Sequence, residues 1–192
     1  MELQHLIVKI PVEGELAVEP GVFIDLFHRW VAGQSVPELL VDVADLRHVP
    51  AGPGVVLVGY QADYAIDHMD HRWGLLYRRK DIVGGSDGDR LRQAVGAAAH
   101  ACGRIERELN GQVTFSRSAF EIIVNDRLLA PNTAESLSAI TPAIQAFARE
   151  VLGHDAVAIA PHDSDRRRRF GVTVRCDQSF ELDVLAAMAH DR

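Results

Sequence analysis

The sequence has few cysteines, few aromatic residues and almost no lysine. Its 192 residues contain two cysteines, and aromatic side chains make up 6% of the chain. Cys102 and Cys176 form no CxxC pair, so a thiolate zinc site is not indicated. We expect both to be free, buried thiols that behave as small apolar side chains, with a disulfide or a reactive thiol as the alternatives.

Several classes of protein are disfavoured by what the chain lacks. No apolar run approaches the roughly 18 residues of a membrane span, and the segment MELQHLIVKIPVEGE does not resemble a secretion signal. The net charge is −7 and neither half is basic, which argues against nucleic acid as a partner. These observations predict a soluble cytoplasmic protein without a membrane or nucleic-acid partner.

Motifs of nucleophilic, zinc-protease, kinase or dinucleotide chemistry are also missing, since the chain contains no GxSxG, HExxH or GxGxxG sequence. No catalytic residue and no organic cofactor can be assigned. Apolar residues make up 47% of the chain and charged residues 24%, which is typical of a globular protein with an ordinary core.

The first half is predicted to contain one strand, one helix and then several further strands. LIVKIPV predicts a strand over residues 4–10, and an i, i+3, i+4 apolar stripe from Val22 to Val31 predicts a helix over 21–32. Further strands are expected at 38–43, in VVLVGY, in ADYAID and at 73–79, with residues 67–72 connecting the last two.

The second half is richer in helix. Apolar residues spaced by four and three from Leu91 to Leu109 predict a long helix, capped by Asp87 or Asp89. Two short strands follow at 112–117 and 119–125. A capping box starting at Asn132 begins a helix over 133–152 that either bends at Pro142 or starts again there.

AVAIAPH and FGVTVRC predict two more strands, and SFELDVLAAMAH predicts a last helix, with the start of a strand as the alternative. This order predicts an α+β fold: a mainly antiparallel sheet with helices on one face, with two ferredoxin-like halves as a candidate arrangement. Residues 1–83 and 87–192 would form the halves of one compact unit, joined by the glycine-rich linker at 81–89.

The segment DHMDHRW holds the candidate metal ligands Asp67, His68, Asp70 and His71. Imidazole and carboxylate groups bind divalent metals, and residues near 63–71 could assemble a His/Asp site. A solvent-exposed hairpin loop rich in aspartate explains the same residues without a metal. The metal hypothesis makes the protein a metal-dependent enzyme or a metal sensor.

A second candidate is the run of four arginines at Arg166, Arg167, Arg168 and Arg169. Guanidinium groups bind phosphate or carboxylate with two parallel hydrogen bonds, so the run predicts an anion site. Asp163 and Asp165 precede the run, and pairing with these local acids is the alternative.

The third candidate is the helical seam of Leu91, Val95, Ala98, Cys102 and Ile105. Its heptad spacing fits either packing against the sheet or a homodimer interface. Together these patterns predict a non-enzymatic binding or assembly protein that acts through protein contacts and self-associates. The rival hypothesis is the divalent-metal protein described above.

Overall fold

The computed structural model describes residues 2–153 and 157–188. In these ranges the first half contains β1 (Leu6–Pro11), α1 (Val22–Gly33), β2 (Leu40–Leu46), β3 (Gly54–Gly59), β4 (Ala62–Asp67) and β5 (Gly74–Arg79). The second half contains α2 (Asp87–Glu108), β6 (Ala119–Val124), α3 (Ala134–Phe147), β7 (Val157–Pro161), β8 (Gly171–Cys176) and α4 (Leu182–Ala187).

All of these strands belong to one eight-stranded sheet. The strand order is β2-β3-β4-β5-β1-β6-β8-β7, and each neighbouring pair is antiparallel. The first strand in the chain therefore lies inside the sheet, where Ile7 has Arg78 of β5 on one side and Ile123 of β6 on the other. One sheet thus includes strands from both predicted halves.

The helices cover one face of this sheet, which confirms the predicted α+β class. Alternate strand residues such as Val8, Leu57, Tyr64 and Ile122 belong to the apolar core beneath the helices. Their neighbours point to the opposite face, because successive side chains in a strand alternate between the two sides. On the helical side, α1 contacts β2 and β3, while α2 contacts β1 and β5.

The ferredoxin-like detail of the prediction is not confirmed. Residues 1–83 have the order β-α-β-β-β-β, and the described part of residues 87–192 has the order α-β-α-β-β-α. Neither order contains the β-α-β-β-α-β unit that defines a ferredoxin-like fold.

The long helix begins slightly earlier than its predicted cap. Ser86, rather than Asp87 or Asp89, is the N-cap residue of α2, and it forms a reciprocal capping box with Asp89. Asp87 instead accepts a hydrogen bond from the Leu3 amide at 2.9 Å. The helix ends where Asn110 and Gly111 both adopt positive φ angles, as the sequence indicates.

Other boundaries also differ from the sequence prediction. Residues 112–117 contribute only an isolated bridge between Val12 and Phe115, so the short strand predicted there is absent. Thr133, not Asn132, caps α3, and Pro142 lies within the helix. A π-helical turn at Ala148–Leu152 continues α3 until Gly153 ends it with φ 67°.

Gly54 shows why glycine is needed where β3 begins. Its φ is +63°, and a Cβ atom there would lie 2.2 Å from the carbonyl oxygen of Ile66 on β4. A side chain would therefore clash with the neighbouring strand as well as strain the backbone.

No helix in the described ranges has the length and apolar character needed to cross a lipid bilayer.

Candidate functional site

Two loops that are far apart in the sequence meet at one end of the sheet. They are the β4–β5 connection, which holds the predicted metal ligands His68, Asp70 and His71, and the β7–β8 connection, which holds the arginine run. Asp70 of the first loop lies 2.7 Å from Nη2 of Arg168 and 3.2 Å from Nε2 of His162 in the second. Two candidates that the sequence suggested separately are therefore in direct contact.

The β4–β5 loop is a 3₁₀ turn over Met69–His71. Asp70 and His71 both have φ 58°, in the left-handed region that aspartate tolerates better than most residues. The turn directs the Asp70 carboxylate toward the arginines, while the ring of His68 stacks on Trp73 with 4.2 Å between ring centroids.

Asp67, at the end of β4, is fully buried beneath this turn. Its Oδ2 accepts a hydrogen bond from Nζ of Lys9 at 2.5 Å, and Lys9 also donates to the Met69 carbonyl. Burial raises the pKa of the Asp67 carboxyl above its ordinary value, although the nearby Lys9 ammonium acts in the opposite direction. The other oxygen, Oδ1, is buried and has no hydrogen-bond partner among the described residues.

The four predicted metal ligands do not converge on a common point. Asp67 pairs with Lys9, Asp70 pairs with Arg168 and His162, and the rings of His68 and His71 lie 6.1 Å apart edge to face. Across residues 2–153 and 157–188, no group of three or more His, Cys, Asp or Glu side chains is arranged to hold a metal ion. The metal hypothesis gains no geometric support from this arrangement.

The arginine run divides into paired and unpaired side chains. Arg167 pairs with Asp165 at 2.9 Å, and Arg168 pairs with Asp163 at 3.0 Å as well as with Asp70. These contacts include the pairing with Asp163 and Asp165 that the sequence analysis gave as the alternative to an anion site. Arg166 is exposed.

Arg169 differs from Arg167 and Arg168 because it forms no ion pair with any described residue. Its Nη1 donates to the side-chain oxygen of Asn125 at 3.0 Å. Burial lowers the pKa of this guanidinium, and the nearby positive charges of Arg78 and Arg168 lower it further. The Asp67 carboxylate acts in the opposite direction and raises this pKa, so Arg169 is a partly desolvated cation with more positive than negative charges near it.

An open cavity of about 810 Å³ lies between the two loops. We call it the arginine cavity; its lining consists of Ala51, Met69, Asp70, His71, Asn125, Arg127, Arg167, Arg168 and Arg169. Arg127 follows β6 and donates a hydrogen bond to the Arg167 carbonyl oxygen. Sequence reasoning missed Arg127, because nothing in its local sequence links it to the arginine run.

A second cavity, of about 480 Å³, lies on the sheet face opposite the helices. We call it the sheet-face cavity. Its lining includes apolar residues of several strands together with Asp63, Asp67, Arg78, Lys80 and Arg169. Met69 and Arg169 line both cavities, so the two spaces adjoin at these side chains.

Asp63 pairs with two of the cations at the rim of the sheet-face cavity. It accepts hydrogen bonds from the Arg78 guanidinium and from Nζ of Lys80, the latter at 2.9 Å. Burial acts to raise the pKa of the Asp63 carboxyl, but the hydrogen bonds from Lys80 and Arg78 outweigh it and lower the pKa.

The predicted interface seam lies inside the protein. Leu91, Val95, Ala98, Cys102 and Ile105 are all 0% exposed, since α2 packs against β1 and β5 and is flanked by α3 and α4. These residues are core residues and offer no surface to a second copy. Cys102 and Cys176 are free and buried, as the sequence suggests.

No protein-family model matches this chain, and neither a curated protein nor a solved structure matches it. The chemistry of the site therefore has to be inferred from its own residues.

Proposed function

We propose that this is a non-enzymatic binding protein that holds an anionic ligand in the arginine cavity. The supporting observation is the local charge. The cavity lining contains four guanidinium groups and a single carboxylate, that of Asp70, whereas the whole chain carries a net charge of −7. Positive charge concentrated in a concave site of an acidic protein attracts an anion.

Arg169 is the residue that we expect to bind the ligand most directly. Arg167 and Arg168 already pair with carboxylates, but Arg169 and Arg127 form no ion pair within the described part of the chain. An anion placed beside Arg169 would offset both its partial desolvation and its repulsion by Arg78 and Arg168. Guanidinium geometry favours phosphate or carboxylate, which accept two parallel hydrogen bonds.

Thermal unfolding in matched salts tests this proposal. Phosphate should raise the Tm of the protein above its value in chloride at equal ionic strength, because a ligand that binds only the folded state stabilises it. Phosphate also stabilises many proteins without binding a specific site. The specific effect is therefore identified by comparing two variants. Arg169→Gln should lose the additional stabilisation, whereas Arg166→Gln, an exposed arginine outside the cavity lining, should retain it.

The proposal fails if phosphate raises the Tm of the Arg169→Gln variant as much as that of the unaltered protein. Isothermal titration with phosphate provides a second measurement, in which Arg169→Gln should abolish the binding heat.

Self-association, which the sequence also predicts, is a second candidate function supported by a different surface. β2 is an edge strand, and Leu39, Val41 and Tyr60 near one of its ends are 54%, 58% and 67% exposed. An edge strand offers unpaired backbone groups to another strand, and exposed apolar side chains strengthen such pairing. We propose that a second copy pairs along β2.

Sedimentation measurements over a range of protein concentrations test the pairing. We expect the unaltered protein to dimerise and Val41→Lys to shift it to monomer, because a charged side chain on an edge strand opposes pairing. Leu128→Lys is the matched control, since Leu128 is 91% exposed and lies away from β2. A monomer at all concentrations, or equal dimerisation of both variants, would rule out this surface.

A further inference from the structure

The sheet-face cavity has an apolar floor although no helix within residues 2–153 and 157–188 covers it. The floor consists of Ile7, Ala44, Leu46, Val56, Val58 and Leu76, which come from four of the five adjacent strands β2-β3-β4-β5-β1. The uncovered face of an antiparallel sheet normally alternates to polar side chains. Here two successive outward positions of β3 are valine, and Val56 and Val58 remain partly exposed.

The size of the space fits a small molecule. Its volume of about 480 Å³ lies within the range of small-molecule sites, which are mostly apolar with a few placed polar groups. It adjoins the larger arginine cavity at Met69 and Arg169. A ligand lying on the floor would therefore reach Arg169 at one end.

The charges around the floor are already paired except at that end. Asp63 pairs with both Arg78 and Lys80, so that one carboxylate faces two cations, and Lys9 pairs with Asp67. Arg169 remains as the cation of this lining that has no ion-pair partner among the described residues. Asp67 Oδ1, buried and without a hydrogen-bond partner among the same residues, provides an acceptor in this cavity for a ligand hydroxyl or a bound water.

We infer that the ligand is a single-chain amphiphile, whose apolar tail lies on the sheet-face floor and whose anionic head group pairs with Arg169. This inference rests on the proposed anion site and adds the class of molecule that the site takes. The tail would cover the partly exposed valine and leucine side chains, and the head group would supply a negative charge to pair with Arg169.

Three soluble probes separate the contributions of tail and head. Decanoate carries both, decanol carries the tail alone, and acetate carries the head alone. In isothermal titration of the full chain, decanoate below its micelle concentration should bind with one molecule per chain. Its affinity should exceed that of either partial probe by about tenfold or more, because each lacks one of the two interactions.

Variants on the two cavities distinguish this inference from the proposed function. Val58→Asp and, independently, Leu46→Glu place a charge on the floor and should weaken decanoate binding by about tenfold or more, while leaving the phosphate-dependent rise in Tm unchanged. Arg169→Gln should weaken both effects. Two separate floor variants are used so that misfolding of one does not decide the outcome, and far-UV circular dichroism checks the folding of each.

The possible failures point to different conclusions. If phosphate stabilises the protein but decanoate binds no better than acetate, the amphiphile inference falls and the anion site stands. If decanol binds as tightly as decanoate and Arg169→Gln changes neither, the head-group contact is overturned. If decanoate is not bound and the protein cosediments with vesicles containing an anionic phospholipid, the face meets a membrane surface and the inference of a soluble ligand is overturned.

Discussion

At the scale of single residues, the buried pair of Lys9 and Asp67 is the polar contact that supports the turn at the candidate site. Their side chains are 4% and 0% exposed, and the pair lies beneath the turn that carries Asp70. Two buried charges cost much free energy to remove from water, and each depends on the other for compensation. Breaking the pair should therefore affect stability more than changing any of the exposed arginines.

We predict that Lys9→Met lowers the free energy of unfolding by about 3–5 kcal/mol near pH 7, because Asp67 stays buried without its countercharge. The pKa of Asp67 is raised in the folded protein, so the folded state takes up a proton at a higher pH than the unfolded state does. Stability contributed by that proton is present at low pH and is lost as pH rises through the folded pKa.

The loss in Lys9→Met should accordingly be smaller at about pH 4.5 than at pH 7. Urea denaturation at both pH values measures the difference. Lys9→Met combined with Asp67→Leu serves as the control, since removing both charges should restore part of the stability. An equal loss at the two pH values would contradict the assignment of the effect to Asp67.

At the scale of secondary-structure elements, local sequence patterns predicted helices correctly. They failed for a strand whose formation depends on contacts between distant parts of the chain. The apolar stripe of α1 and the heptad spacing of α2 identified both helices, because periodicity alone marks a helix that packs on one side. The strand predicted at 112–117 is absent, since Phe115 forms only one bridge with Val12 and gains no further partner strand.

We predict that Ser86→Ala lowers the free energy of unfolding by about 1 kcal/mol, because it removes the capping box at the start of α2. Chemical denaturation measures the change. Ser164→Ala, at an exposed loop position, is the matched control and should stay within about 0.5 kcal/mol of the unaltered protein. Equal effects of the two substitutions would show that the cap contributes nothing.

The candidate site could be predicted only in pieces. The sequence identified Asp70 and the arginine run, but it could not show that Asp70 lies beside Arg168 and His162, because strand order brings these loops together. The contact between Lys9 and Asp67 could not be predicted from sequence either, because the two residues are 58 positions apart. Long-range pairing of this kind leaves no local pattern to read.

At the scale of the whole molecule, the two predicted halves share one sheet and one helix layer. β1 pairs with β5 from the same half and with β6 from the other. The linker is also held in place, because the Gln4 side chain exchanges two hydrogen bonds with the backbone of Val83. These contacts argue that neither half is stable without the other.

We predict a single cooperative unfolding transition in urea. Both tryptophans, Trp30 and Trp73, lie in the first half, so fluorescence reports that half, while circular dichroism reports the helices of the whole chain. The two transitions should coincide. Ile122→Ala in β6 should move both transitions together, with a loss of about 2–5 kcal/mol, since Ile122 is fully buried.

Ile82→Ala, at a linker position that is 74% exposed, is the control and should leave both midpoints within about 0.5 kcal/mol of their original values. Separate midpoints for fluorescence and circular dichroism would instead show two independently folding units.

The interior position of β1 also has a consequence for biosynthesis. A ribosome makes this strand before β5 and long before β6, yet Leu6, Val8 and Ile10 are shielded from water only once the sheet and helices have assembled around them. The nascent chain must therefore carry this apolar strand without one of its two partner strands until β6 has been synthesised. Such a protein should benefit from chaperones that shelter emerging polypeptides, and rapid overproduction should drive it into inclusion bodies.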